Sequence, residues 1–376
     1  MTASIVPRWW LIGLVWFAVL AAIAWMSPLP NHVTDRGLYE ATAEHVIVPD
    51  CSDLQCFRVL VPWVVGRFPG ASGLRWKTYA ALSNAAAAAG AWLLCLSLGT
   101  SRRVAWMASA ISALGFGSLY TLHDPYTSDP LMFAIGPFLT NELLAGRMAL
   151  AAGVAVVGVL AKEFAAAPLY AFALYAATER RWLTAAWAFA AGNAAFIMWA
   201  VATLTLMLSF HYTWGWNGVG SANLTGGAAL ALWAGRQSTR GIAFAMFNEF
   251  GALYVLAPAG LLFASARLRR LAAVSLPIAA LFAYVQQPDR ALWNFHYLVA
   301  PLAALVLERV PAALAWVVIA LFAIGNLRVG AQLPIAAVAH AAVAGSLLLA
   351  CASVGVALRN QDRGHAPGVP VSAVIR

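Results

Sequence analysis

Between Trp9 and Met26 the chain carries no charged residue, and apolar runs of similar length recur as far as residue 357. Such runs must be solvated by lipid, where a backbone can satisfy its own polar groups only as a helix or a closed barrel. The runs are Ala, Leu, Val and Trp without strict alternation, which excludes the barrel. Composition points the same way: 62% of residues are hydrophobic and 10% charged, against about 25% charged in a soluble domain. The fold class is therefore all-α, a polytopic transmembrane protein. Spans are expected near 9–27, 78–98, 104–122, 130–145, 147–163, 164–178, 183–208, 242–264, 271–286, 294–308, 311–326 and 333–357. Several are short, around Gly146, Lys162 and Glu308, so the expected number is about 10–13. The first run lacks a small-residue cleavage site and is read as a retained span.

The net charge of +9 would suit nucleic acid if it formed a patch. It does not. With the N-terminus in the cytoplasm, alternating spans put Arg8, Arg102, Arg103, Arg147, Arg180, Arg181, Arg267, Arg269, Arg270, Arg309, Arg359, Arg363 and Arg376 on one side. Those thirteen basic residues meet four acids, Glu142, Glu179, Glu308 and Asp362; the remaining ten basic and ten acidic residues lie on the other side. This is the positive-inside pattern, and it excludes a nucleic-acid partner in favour of a membrane orientation. It implies a single transmembrane domain over 1–358, outer loops at 28–77, 122–130, 209–241 and 286–297, and a cytoplasmic, disordered tail over 359–376.

The outer segments carry the chemistry. TDRGLYEATAEH fits an amphipathic helix, opened by Asp35 with Arg36 and Tyr39 behind it. Asp35 is either the helix N-cap or a carboxylate that takes a proton from an incoming hydroxyl. FRVLVPWVVGRFPG carries Arg58 and reads as an interfacial segment. HDPYTSDP holds Asp124, Tyr126 and Asp129; each Asp-Pro step either starts a helix or contributes oxygen ligands to a divalent cation such as Mg or Mn. Lys162–Glu163 interrupts an apolar stretch, where a mid-bilayer charge costs about 2.5–3.5 kcal/mol. The pair either marks a hairpin or presents Lys162 to an anionic ligand. QQPDRALWNFHY brings Asp289, Arg290, His296 and Tyr297 to the mouth of another span, as a phosphate site or as a snorkelling arginine in an aromatic belt. Cys51 and Cys56 flank SDLQ and are either a disulfide pinning the loop, which an oxidising compartment permits, or free thiols; Cys95 and Cys351 fall inside spans.

The order of these pieces resembles a known family. Asp35 and Tyr39 follow the first span; then come FRVLVP (57–62), YTSDP (126–130), AKEF (161–164) and PDRALWNFHYLVAP (288–301). This is similar to the small bacterial members of the GT-C superfamily, membrane glycosyltransferases that use polyprenyl-phosphate sugars. The resemblance implies a GT-C-like fold in the bacterial inner membrane with the site facing the periplasm or exterior. It implies Asp35 as the acceptor-activating base, Asp129 beside it, and Arg58, Lys162 and Arg290, with His296 nearby, on the lipid phosphate. Larger members often have a second acid where this chain has Arg36, and they carry a soluble C-terminal domain.

The expected function is inverting glycosyl transfer from a polyprenyl-phosphate donor to a hydroxyl of a glycan, lipid or protein. A divalent cation is compatible with the loop carboxylates, Asp124 and Asp129 first among them, without being required by the sequence. The alternative is a transporter or lipid flippase. Transporters favour internal repeats and sites at the bilayer midplane; here no repeat is evident and the ionisable groups gather at one rim.

Overall fold

The computed structural model describes residues 9–29, 35–48, 51, 54–212, 247–285, 288–327 and 336–364. Described residues outside the turns and links are helical, with no strand among them. In chain order the α-helices are α1 (Trp9–Met26), α2 (Arg36–His45), α3 (Leu60–Val65), α4 (Ser72–Ser97), α5 (Arg102–Ala113), α6 (Phe116–His123), α7 (Asp129–Leu144), α8 (Met148–Gly158) and α9 (Ala167–Thr178). They continue as α10 (Trp182–Phe210), α11 (Leu253–Gly260), α12 (Ala266–Val285), α13 (Pro288–Trp293), α14 (His296–Leu307), α15 (Ala312–Asn326) and α16 (Ala336–Gly364). Short 3₁₀ turns occupy Leu54–Phe57 and Glu163–Ala166.

Five of the described helical stretches are long and apolar enough to cross a membrane: Trp9–Met26, Ser72–Ser97, Arg102–His123, Trp182–Phe210 and Ala336–Gln361. Shorter apolar helices, α8, α14 and α15 among them, pack beside these. The chain is a multi-pass α-helical membrane protein. Large apolar side chains such as Trp182, Leu183, Phe189 and Ile197 on α10 stand exposed on its surface, which is the expected face toward acyl chains.

α4 is the central post, touching α1, α5 and α7. Its run Ala85–Ala91, buried apart from Ala86, is alanine and glycine, and small side chains let membrane helices approach closely. Ser101 caps α5 by accepting a hydrogen bond from the Val104 amide at 3.1 Å.

Three elements depart from the sequence expectation. Besides the amphipathic helix expected there, found as α2, the segment 28–77 holds a 3₁₀ turn, α3 and the start of α4. Within 286–297, Pro288 opens α13 with Asp289 in its first turn, a helix-starting combination. α16 runs to Gly364, so the polar tail begins later than residue 359. The expected loop over 209–241 lies outside the described residues from 213 onward.

Candidate functional site

The site forms where α2, the α6–α7 link, the α8–α9 link and α13 meet at one end of the bundle. At its centre is Asp129, the first residue of α7, 1% exposed. One carboxylate oxygen takes the Lys162 ammonium, and Lys162 is itself 2% exposed. The other takes the Arg290 guanidinium, with Nε at 2.6 Å. Arg290 Nη2 also donates to Thr127 Oγ1 at 3.2 Å, and its guanidinium lies 5.8 Å from the Tyr120 ring centroid. The Asp129 amide donates to the same Thr127 hydroxyl at 3.3 Å, a local turn that fixes where α7 begins. Asp129 is therefore no side-chain cap; Ser128 occupies that position.

Lys162 reaches Asp129 because the chain leaves α8 at Gly158, turns through an extended Lys162 and re-enters a helix at Glu163. The hairpin reading describes this pair; Lys162, expected to face an anionic ligand, is instead sealed against Asp129. Glu163 pairs with Arg58, whose Nη2 and Nε donate to its two oxygens at 2.7 and 3.2 Å. This fork is charge-assisted and bidentate, and it ties the α8–α9 link to the segment entering α3. Arg58, expected on a ligand phosphate, is thus engaged by a carboxylate of the protein. Ionic groups taken this far from water are tolerated only with close partners, and each of these has one.

The segment between α1 and α4 closes the site. Tyr39 is buried, packed edge-on against Trp76 with centroids 5.4 Å apart, and its hydroxyl lies 3.3 Å from Ser128 Oγ. Glu40 accepts from Ser72 Oγ at 2.6 Å, Tyr126 OH at 3.1 Å and Arg36 Nε at 3.3 Å. Arg36 lies over the Tyr126 ring at 5.1 Å. Asp35 occupies the α2 N-cap position, as the capping reading expected, but without a side-chain cap hydrogen bond. Its charge is felt by both Asp124 and Tyr39.

Asp124 caps the C-terminal end of α6 and accepts a 3.5 Å hydrogen bond from Tyr120. Its Oδ1 is buried and meets no hydrogen-bond partner among the described residues. Burial pushes this carboxyl up to about 6, against the pull of Arg290 and with a further push from Asp35. Asp289, next to Arg290, is likewise raised by burial and by Asp129.

One expected member is elsewhere. His296 is buried with its ring nitrogens 3.2 Å from Ser112 Oγ and 3.2 Å from the Phe133 carbonyl, among the rings of Phe133, Trp293 and Tyr297. It is a satisfied core residue at the head of α14, one helical turn past the rim, and offers nothing to a phosphate. Of the two readings left open for Cys51 and Cys56 the disulfide holds, packed with Phe57, Leu206 and Tyr212. Among the described residues no three His, Cys, Asp or Glu side chains converge as a ligand set. Asp129 has both oxygens on cations, so a metal held by Asp124 and Asp129 does not fit this arrangement. Glu40, Ser72, Thr127, Ser128 and Tyr120 were not singled out from sequence. Of these, only Glu40 left a local signal, its i,i+4 spacing from Arg36.

No family model matches the chain, and no curated protein matches it in sequence. Among solved structures it is similar to the crystal structure of the Archaeoglobus fulgidus oligosaccharyltransferase tethered to an acceptor peptide containing the NVT sequon. The TM-score is 0.45 and the identity 17%, covering 95% of this chain and 55% of that one. The chain thus spans about half the length of that protein. A likeness at that TM-score carries no functional inference.

Proposed function

We propose that the protein is a membrane glycosyltransferase that moves a sugar, with inversion, from a polyprenyl-phosphate donor to a hydroxyl of a glycan, lipid or protein acceptor at the outer face of a bacterial inner membrane. The observation that carries this reading is the Asp129–Lys162–Arg290 cluster, set at one rim of a membrane bundle and flanked by Asp35 and Asp124. Transfer from a lipid phosphate needs a cation for the charge that develops on the leaving phosphate, and a base for the acceptor.

On this reading the cations divide the labour. Lys162 is sealed, whereas Arg290 keeps 22% of its side chain exposed. Arg290 is the group that meets the phosphate; Asp129 and Lys162 hold it in place. Arg58, clamped to Glu163, positions the link that carries Lys162. Asp35 takes the acceptor proton, and Asp124, with its buried unpartnered oxygen, lies on the acceptor side. The apolar segment 57–70 admits the prenyl chain from the bilayer. No step needs a divalent cation.

The test is transfer of radiolabelled sugar from a synthetic polyprenyl-phosphate donor in membranes carrying the protein. Asp35→Asn is expected to lower the rate by about 10²–10⁴-fold with the donor still bound. Full activity in that variant removes Asp35 as the base. Movement of the donor across the bilayer without transfer favours the flippase reading.

A further inference from the structure

The opposite rim carries a second cluster that the site chemistry does not use. α9 ends there in a tight turn: Arg180 is left-handed at φ 59°, and the amides of Arg180 and Arg181 return to the carbonyls of Ala177 and Ala176, each at 2.9 Å. The turn presents Glu179, which accepts from Tyr175 OH at 2.7 Å. Arg181 and Arg270 each lie 3.6 Å from this carboxylate, and Arg267 reaches the Tyr175 hydroxyl. Arg180, Arg181, Arg267, Arg269 and Arg270 are all exposed. Two of these guanidiniums, Arg181 and Arg270, share the one carboxylate. Trp182 and Leu183, 67% and 87% exposed beside them, mark the level as a membrane interface.

Directly along α12 from these arginines lies an apolar slot of about 420 Å³ between α11, α12 and α14, within the size range of ligand pockets. Its one hydroxyl-bearing residue with a described bond, Ser275, donates to the Leu271 carbonyl at 2.8 Å and is spent. The α12 side of the slot is Ala272, Ala273, Leu276 and Ala279. Arg269 precedes Ala272, Ala273 and Leu276 by three, four and seven residues, so it stands on the same helix face, at the head of the slot. No carboxylate among the described residues pairs with Arg269. A cationic head over an apolar slot, at the interface level, is complementary to an amphiphile with an anionic head group.

We propose that this rim binds an anionic phospholipid of the adjoining leaflet, its phosphate on Arg269 and Arg270 and an acyl chain in the α11–α12–α14 slot. The test uses the full-length protein in phosphatidylcholine vesicles doped with spin-labelled phosphatidylglycerol or spin-labelled phosphatidylcholine. The motionally restricted fraction gives the relative association of each lipid. Phosphatidylglycerol is expected to associate at least about five-fold more strongly, the factor one arginine near an anionic head group supplies. The surface variant Arg269→Gln with Arg270→Gln, which leaves the packed core alone, is expected to bring the ratio to about one. Leu276→Trp, which fills the slot and keeps the arginines, is expected to do the same. Equal association of the two lipids in the wild type overturns the proposal. So does a preference unchanged by the arginine variant, which puts the head group elsewhere, or one unchanged by Leu276→Trp, which puts the chain elsewhere.

Discussion

At the scale of single residues, the organising fact is that Asp129 is enclosed with two cations, and its removal strands both. Asp129→Asn leaves Lys162 buried beside Arg290 without a counter-charge. Breaking a buried pair on one side costs about 3–5 kcal/mol, so its denaturation midpoint in detergent should fall sharply. Adding Lys162→Met, which removes one stranded charge, should recover part of the loss; a double variant less stable than the single one would refute the pairing. Asp124 gives a pH signature. Its carboxyl is raised from 3.8 to about 6 in the folded protein, so the fold binds that proton more tightly than the unfolded chain does. The stabilising contribution is full below about 4 and is lost as pH rises through about 6. A melting temperature followed from pH 4 to 7 should fall across that window in the wild type and lose that component in Asp124→Asn. Asp129, Lys162 and Arg290 each stand out in the sequence as ionisable groups at one rim, but their mutual pairing was not legible, because Lys162 and Arg290 read there as cations for a ligand phosphate. Nor was the Arg58–Glu163 pair, since 105 residues separate its members and Arg58 reads equally well as a ligand cation. His296 misled for a related reason: a histidine before an apolar run looks the same at a rim as one turn inside a core.

At the scale of elements, the all-helical class followed from the apolar runs, because lipid leaves the backbone no other solution, although the run expected over 104–122 breaks into α5 and α6 and that over 242–264 holds the shorter α11. What the runs could not reveal was the short structure between them. α2 was legible from its amphipathic pattern, but α3 and α13 are too brief for periodicity to separate them from loops, and their places are set by tertiary partners such as the Arg290–Asp129 pair. The break between α5 and α6 shows how closely such partners fit. It falls at Gly115, and an added Cβ at Gly115 or Gly117 would run into the Trp293 indole of α13. Trp293 sits three residues after Arg290, on the same short helix. Gly117→Ala should therefore overpack this contact, at about 1–3 kcal/mol of stability, and shift α13 with it. The expected reading is a lower melting temperature together with a larger loss of sugar transfer than any lipid-facing substitution on α10 produces. Unchanged stability and transfer would mean that the Trp293 seat does not position Arg290.

At the scale of the whole molecule, two rims with different chemistry face each other across the bundle. The ion-paired site gathers carboxylates and cations in near balance, and the opposite rim is dominated by arginine. α9 measures the separation: it leaves the Lys162–Glu163 link and, at 1.5 Å per residue over twelve residues, ends about 18 Å farther on beside Arg180 and Arg181. α7 makes the same passage, from Asp129 to the Glu142–Arg147 pair. The proposed function requires the arginine rim in the cytoplasm and the site outside, the orientation the positive-inside rule favours and one compatible with the Cys51–Cys56 disulfide. Single cysteines make this orientation measurable. Cys351, the exposed free thiol, is first replaced by Ser. Ala71→Cys then marks the site rim just ahead of α4, and Thr178→Cys marks the arginine rim at the end of α9; both positions are exposed. In intact cells a membrane-impermeant maleimide should label the residue 71 variant within minutes and leave the residue 178 variant unlabelled until the membrane is opened. The reverse pattern would turn the molecule over. Asp35, Asp129 and Arg290 would then face the cytoplasm, where a donor displayed on the outer leaflet cannot reach them, and the transfer reaction proposed for this site would have to be abandoned.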